Sequence, residues 1–253
     1  MGTGHTDHLH VDGSSPLHRM PSHAKLVGLV LFVLAVVSVP PDRPVALAAL
    51  LLLAAGILVS TGVAWRHLLP RLAIGLPVVV FAVVLPFVAT GPTQALGPLT
   101  VSSTGLAAAW SVLAKGLTGV LAAVAFAVTT RPTDLVAGLQ RLRAPHLVVL
   151  VLSFMVRYLG VVTDELGRMR VARESRAFRG RGLRAWPVLA SSSGALFIRS
   201  YERGERVHLA MLSRGFSGRL PVVSELVATP AQWALAVTPA VVAATASVLV
   251  RFG

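Results

Sequence analysis

Apolar residues run along this chain in stretches long enough to cross a bilayer. Spanning takes about 20 mostly apolar residues. Val45–Trp65, Leu72–Ala89, Leu106–Thr130 and Ala231–Val250 each qualify. Ala24–Val39 is shorter, but Lys25 at its start can reach back to the interface, so it also fits. A sixth stretch, Ala144–Val162, is interrupted by Arg157 and flanked by arginines on both sides. The first span is not a cleaved signal peptide: it follows a 23-residue polar lead, and Val39-Pro40-Pro41 offers no small-x-small site.

The polar positions orient these spans, because Lys and Arg concentrate in cytoplasmic loops. The loop from Thr90 to Gly105 holds no charge, whereas Arg131 through Arg219 holds 16 of the 23 Lys+Arg. The N-terminus and residues 131–220 are therefore expected in the cytoplasm, and the 90–105 loop outside. If Ala144–Val162 crossed the membrane, one arginine-rich flank would lie outside. It is read instead as a helix in or near the cytoplasmic interface, or packed under the spans. The expected fold is an all-α polytopic membrane protein with about five transmembrane helices and one cytoplasmic insert. Its parts are a polar, histidine-rich tail (1–23), four spans (24–130), the insert (131–220) and a last span (231–250).

Composition sharpens this picture. Of 253 residues, 55% are hydrophobic and 13% charged, against about 25% charged in an average soluble domain. The mean hydropathy of +0.75 agrees. A water-soluble enzyme is thus unexpected. The net charge of +13 is then mostly an orientation signal. Absence of cysteine removes disulfides, thiolate metal sites and cysteine nucleophiles.

Ion-coupled transporters and pumps usually place acids or histidines inside the membrane. Here all ten acids fall outside the five spans, which excludes paired-aspartate proteolysis and a carboxylate proton relay. A P-loop needs Gly-Lys-Ser/Thr, and the two lysines stand in Ala24-Lys25-Leu26 and Ala114-Lys115-Gly116. Lys115, well inside a span, is expected to snorkel to the outer surface.

Within the insert, Thr133 can cap a short amphipathic helix that carries Asp134 in its first turn. Pro145 begins a longer helix reaching about Phe178, with Asp164 and Arg168 spaced to pair. A third starts at Trp186-Pro187 and runs to about Ser213, with Gly215 suited to the position just past its end. Glu202 and Arg206 are spaced to pair along it, and the small residues Ala190–Ala195 would let another helix cross closely. The two long helices end alike: Ala172-Arg173-Glu174-Ser175-Arg176-Ala177-Phe178 and Ala210-Met211-Leu212-Ser213-Arg214-Gly215-Phe216. One arginine at a helix end does no more than offset the negative helix terminus. The repeated pattern points further, to a guanidinium on each tip that suits a carboxylate-lined groove.

Val171–Phe178 and Glu202–Phe216 resemble the two arginine motifs of energy-coupling factor (ECF) transporter T components, and among these the chain resembles the cobalt type, the CbiQ family. Ser15–Pro21 leading to Lys25-Leu26, Thr129–Leu135, and Arg157-Tyr158-Leu159 with Asp164-Glu165 and Arg168-Met169 extend the resemblance over Ser15 to Leu220. The resemblance implies a non-catalytic coupling subunit of an ATP-driven importer in the plasma membrane. Two cytoplasmic ATPase subunits would receive Arg176 and Arg214, each within its motif: Ser175 and Ala177, Ser213 and Gly215. Ala177 stands where the family usually has glycine. The long helices would pass ATPase movement to a separate integral membrane subunit that binds the substrate, most simply cobalt or nickel. No cofactor is implied in this chain, since ATP and Mg would sit on the ATPases.

The sequence admits other readings. A T component serving vitamin-binding subunits would look the same. A membrane enzyme acting on phosphate-bearing substrates would need a cluster such as Asp164-Glu165 with His146 or His208. Nucleic acid is not an expected partner, since the insert has no lysines and few aromatics to stack bases. His5, His8, His10, His18 and His23, with Asp7 and Asp12, could hold Co, Ni or Zn. The plainer reading is a polar tail, and no metal site is assigned.

Overall fold

The computed structural model describes residues 15–63, 68, 71, 73–89, 92–96, 99–176, 186–218 and 228–252. It is an all-α membrane protein with one small hairpin. The helices are α1 (Pro16–Arg19), α2 (Ser22–Val37), α3 (Pro44–Ser60), α4 (Leu76–Val88), α5 (Ser103–Thr129), α6 (Pro132–Arg141), α7 (His146–Ser175), α8 (Trp186–Leu212) and α9 (Pro230–Phe252). They fall into two compact units. One gathers α1 to α6 with α9; the other contains α7 and α8.

In the first unit, α2 lies against α9, α5 and α6, while α5 also carries α3 and α4. The helices of the apolar runs are apolar nearly all round, as membrane helices are. They therefore meet through their smallest residues. Gly28 on α2 faces the Ala236 backbone of α9, and Gly116 on α5 faces Val78 of α4. The core between α2, α3, α5 and α9 is built from Phe32, Val36, Leu47, Leu50, Ala54, Ala114, Ala240 and Ala243. A second cluster joins Leu58 and Leu68 to Val124, Ala125 and Val128. Pro16, Pro44 and Pro132 stand at helix starts, where a missing N–H costs nothing.

The loop read as uncharged contains a hairpin, β1 (Thr93–Leu96) with β2 (Leu99–Ser102), paired antiparallel from Thr93↔Ser102 to Leu96↔Leu99. Ser102 then caps α5, accepting from the Gly105 amide at 3.3 Å. Gly105 itself sits against Pro86, Ala89 and the Leu85 carbonyl of α4.

Both lysines cap a neighbouring helix, Lys25 in a buried setting and Lys115 in an exposed one. Lys115 Nζ donates to the Val37 carbonyl in the last turn of α2, at 3.0 Å. With Trp110 Nε1 on Pro44 O and Ser247 Oγ on Ser38 O, it ties down the α2–α3 turn. Lys25 Nζ donates to Thr129 O at 2.8 Å and Thr130 Oγ1 at 3.3 Å, at the last turn of α5. Each ammonium thus meets carbonyls that a helix end leaves without partners.

Among the described residues three helices are long and apolar enough to cross a membrane by length and composition: α5, α7 and α9; α2, α3 and the segment Ala73–Val88 are shorter apolar helices. In α6 the N-cap position is Arg131, with no side-chain cap, and Pro132 is the first helical residue. Thr133 is therefore already inside the helix and does not cap it, while Asp134 is in the first turn as expected. By its contacts α6 belongs to the first unit, where Ser22 Oγ donates to the Asp134 carbonyl.

Candidate functional site

The second unit is a pair of long helices, and their contacts give their arrangement. His146 hydrogen-bonds the Gly218 carbonyl, Glu165 takes Arg199 at 2.5 Å, and Arg173 donates to Ser192 Oγ at 3.3 Å. Rising numbers on α7 meet falling numbers on α8, so the helices run antiparallel. The two helices expected to cross are in contact, with Ser192 of the small-residue run opposite Arg173.

Glu165 joins the two helices. Its carboxylate accepts from Arg168 on its own helix at 2.6 Å and from Arg199 on α8. These two guanidiniums, Arg168 foremost, hold the Glu165 carboxyl below the usual carboxylate range. Arg168 was expected to pair with Asp164; it takes Glu165 at i, i+3 instead, because that residue also faces α8. Arg170 pairs with Glu174 at 2.9 Å, and Arg206 approaches Glu202 at 3.9 Å, the latter as the spacing suggests. Between the helices lies a groove of about 360 Å³, lined by Phe154, Tyr158, Leu196, Arg203 and Val207 among others.

The helix tips share a construction. Ser175 Oγ donates to Val171 O at 2.9 Å, and Ser213 Oγ to Leu209 O at 3.0 Å. Each serine therefore folds back four residues onto a carbonyl of the last turn. Its neighbour, Arg176 or Arg214, is exposed. Arg176 occupies the C-cap of α7, near φ −87°, ψ 21°. Arg214 is followed by Gly215 at φ +81°, with Phe216 N donating to Met211 O and Gly215 N to Leu212 O, both at 3.0 Å. That is a Schellman ending, and only glycine takes the left-handed position without strain. The serine back-bonds were not foreseen; their signal was the Ser-Arg pair repeated at both ends. Ala177 lies outside the described residues, as do Phe178, Gly180 and Gly182.

Among the described residues neither Arg176 nor Arg214 has a hydrogen-bond or ion-pair partner. Arg19, Arg143, Arg157 and Arg203 share that condition, and Arg19 and Arg143 also stand at helix ends, so what distinguishes the two is the back-bonded serine before each at the ends of α7 and α8. The antiparallel register sets Arg214 level with the first turns of α7, near Leu150. Arg176 is then about seven turns away, roughly 40 Å at 1.5 Å per residue. The pair presents two separate cationic tips, not one basic patch.

Of the candidate acid and histidine residues, Glu165 and His208 line the same groove between the helices. Glu165 is held by two arginines, and His146, bound to Gly218 O, is roughly 28 Å along the helix from it. Among the described residues no group of three or more His, Asp or Glu side chains is placed to hold a metal. His5, His8 and His10 lie outside the described residues. His18 Nδ1 pairs with Ser15 Oγ, and the His23 ring stands edge-on to Trp233.

Much of the unit is uncovered. α8 has no buried residue and α7 only Val149. Met155, Leu159 and Val171 on α7, and Phe197, Ile198 and Leu209 on α8, are all more than half exposed. Apolar surface on this scale marks a surface that meets other protein or lipid.

Comparison with known proteins gives a consistent result. The family model for CbiQ, cobalt transport protein, matches residues 13–223. The energy-coupling factor transporter transmembrane protein EcfT of Brevibacillus brevis is 28% identical over 224 residues, 83% of each chain. The EcfT of Bacillus selenitireducens is 27% identical over 231 residues, covering 83% of this chain and 82% of its own. The uncharacterized protein MJ1571 of Methanocaldococcus jannaschii is 28% identical over 123 residues, 48% of this chain. The match spans 42% of that archaeal relative, less than half its length.

Proposed function

The chain belongs to the CbiQ family of cobalt transport proteins, and on that premise we propose that it is the transmembrane coupling subunit, or T component, of an ATP-driven ECF-type importer. In this reading it catalyses nothing itself. Two cytoplasmic ATPases bind and hydrolyse ATP with Mg, and a separate integral membrane subunit holds the substrate, cobalt or nickel.

The observation that carries this reading is the pair of exposed arginine tips roughly 40 Å apart on one antiparallel helix pair. A guanidinium bonds a carboxylate bidentately. Two such groups at opposite ends suit one site on each of two ATPases better than two sites on one. Arg176 and Arg214 are the docking residues; Ser175 and Ser213 finish the helices behind them, Gly215 turns the chain away, and Ala177 completes the first motif. When the ATPases move, a rigid pair clamped at Glu165 carries the displacement as a lever. The uncovered apolar faces of α7 and α8 give it surface for the substrate-binding subunit.

The topology that goes with this has several membrane crossings, a cytoplasmic N-terminus and a cytoplasmic 131–220 region. α7 then lies at the cytoplasmic face despite its length, because Arg141 and Arg143 precede it and Arg168, Arg170 and Arg173 close it. The likeness to EcfT proteins, whose name specifies no substrate, is equally compatible with a second reading in which the same subunit serves vitamin-binding partners.

Co-purification of the tagged chain from its native membrane tests the proposal. The expected complex contains two ATPase copies and one hydrophobic membrane subunit, and mass spectrometry of that subunit separates metal from vitamin. A chain that purifies alone, with no ATPase at any detergent strength, overturns it.

A further inference from the structure

Away from the helix pair, the first unit contains a cavity of about 280 Å³ between α2, α3, α5 and α9. Its walls are almost entirely apolar, with Leu29, Phe32, Ile57, Phe126 and Leu235 prominent. Among the described residues on its lining, Lys25 is the one charged side chain. That residue is only 9% exposed. Its ammonium has three N–H groups. Two are spent on Thr129 O and Thr130 Oγ1. The third has no acceptor among the described residues.

Arginines flank the helices that meet at this end. Arg19 stands just before α2, and Arg131 and Arg141 bracket α6, which packs on the start of α2. Arg141 is close enough to His23 to act on it electrostatically. Asp134 is the acid that faces Lys25. At the other end of the same helices the Thr90–Gly105 loop is uncharged. The cavity is thus an apolar slot with a cation at its basic end, in a protein that lives in a bilayer.

We infer that this slot is a binding site for an anionic phospholipid, its phosphate on Lys25 and an acyl chain along Leu29, Phe32, Phe126 and Leu235. The charge pattern selects the occupant. A partner's apolar helix would leave the third N–H of Lys25 without an acceptor, at a cost that grows in a dry site. A zwitterionic lipid brings its own cation into a basic neighbourhood. An anionic headgroup satisfies both demands, which is the usual logic of basic pockets between membrane helices. The site stands independently of the transport reading. Its consequence is that a lipid holds together the ends of α2 and α5, where Lys25 joins them.

Native mass spectrometry of the full chain, released from nanodiscs of mixed phosphatidylglycerol and phosphatidylcholine, tests this. The expected result is one retained phosphatidylglycerol per chain, in clear preference to phosphatidylcholine. Lys25→Met should lower that occupancy about tenfold and Lys25→Arg should largely keep it. Leu235→Trp fills the slot without touching the charge and should also expel the lipid, which keeps the test valid should Lys25→Met fail to fold. Inorganic phosphate at millimolar concentration should not displace the lipid. Equal retention of the two lipids, unchanged occupancy in folded Lys25→Met or Leu235→Trp, or displacement by inorganic phosphate each overturns the inference.

Discussion

Gly28 is the point where α2 and α9 come closest, and replacing it probes the packing of the first unit. A Cβ built there falls on the Ala236 carbonyl oxygen, with the carbonyl carbon at 3.0 Å and the Ala236 Cβ at 3.3 Å. Carbon atoms prefer about 3.5–4.0 Å, and a gap of about 0.5–1 Å forfeits a quarter to a half of each contact along an interface. Backbone cannot swing aside as a flexible side chain can, so the helices must part. Overpacking of this kind costs about 1–3 kcal/mol, while alanine for glycine within a helix returns about 1 kcal/mol. Gly28→Ala should therefore lose a net ~0–2 kcal/mol, and Gly28→Val should reach the upper end of the overpacking range, ~3 kcal/mol. Gly56 on α3 and Gly119 on α5 have open space where a Cβ would go. Gly56→Ala and Gly119→Ala keep the helix gain without the clash, and should be neutral or up to ~1 kcal/mol more stable. Reversible unfolding in detergent micelles, followed by tryptophan fluorescence, compares all four. If Gly28→Ala matches Gly56→Ala, the close approach of α2 and α9 is wrong.

Three further outcomes follow from named contacts. Lys115→Met removes the bond to Val37 O and should cost about 1 kcal/mol in the same unfolding assay, with faster amide exchange in the α2–α3 turn. An unchanged exchange rate would mean that the lysine does not secure that turn. Glu165 has a lowered folded-state pKa, so its pairing contributes above the unfolded value and is lost as pH falls below 4.5 towards the folded value. Spin labels placed by Glu174→Cys and Leu189→Cys should give a narrow distance distribution at pH 7 that broadens on acidification. Adding Glu165→Gln should broaden it at every pH. Gly215→Ala forces a side chain into φ +81° at a cost of about 1–2 kcal/mol. ATPase capture should weaken while membrane insertion stays intact, and unaltered capture would show that the turn behind Arg214 is dispensable.

The apolar runs placed the membrane helices closely, because length and continuity of apolar residues are what the bilayer demands. The run Val45–Trp65 became α3 at Pro44–Ser60, and the last run became α9. Gly215 was legible too, since few residues tolerate a left-handed helix ending. What stayed hidden depends on partners distant in sequence. Lys25 and Lys115 each looked like a snorkelling side chain, yet each caps a helix about a hundred or about eighty residues away. Arg168 had two acids in reach, and only the position of α8 selects Glu165. The hairpin at 93–102 was too short to stand out within an uncharged loop. At the helix tips the arginines were visible in the repeated motif. Their separation was not, because it depends on the antiparallel register of α7 and α8.

The central claim is that Arg176 and Arg214 each hold one ATPase. Quantitative capture of the ATPase subunits by the detergent-solubilised chain tests it directly, comparing wild type with Arg176→Glu, Arg214→Glu and the double variant. Each single variant should retain one ATPase of two, and the double variant none, with all three inserting into the membrane at wild-type levels. Full capture of both ATPases by the double variant contradicts the account.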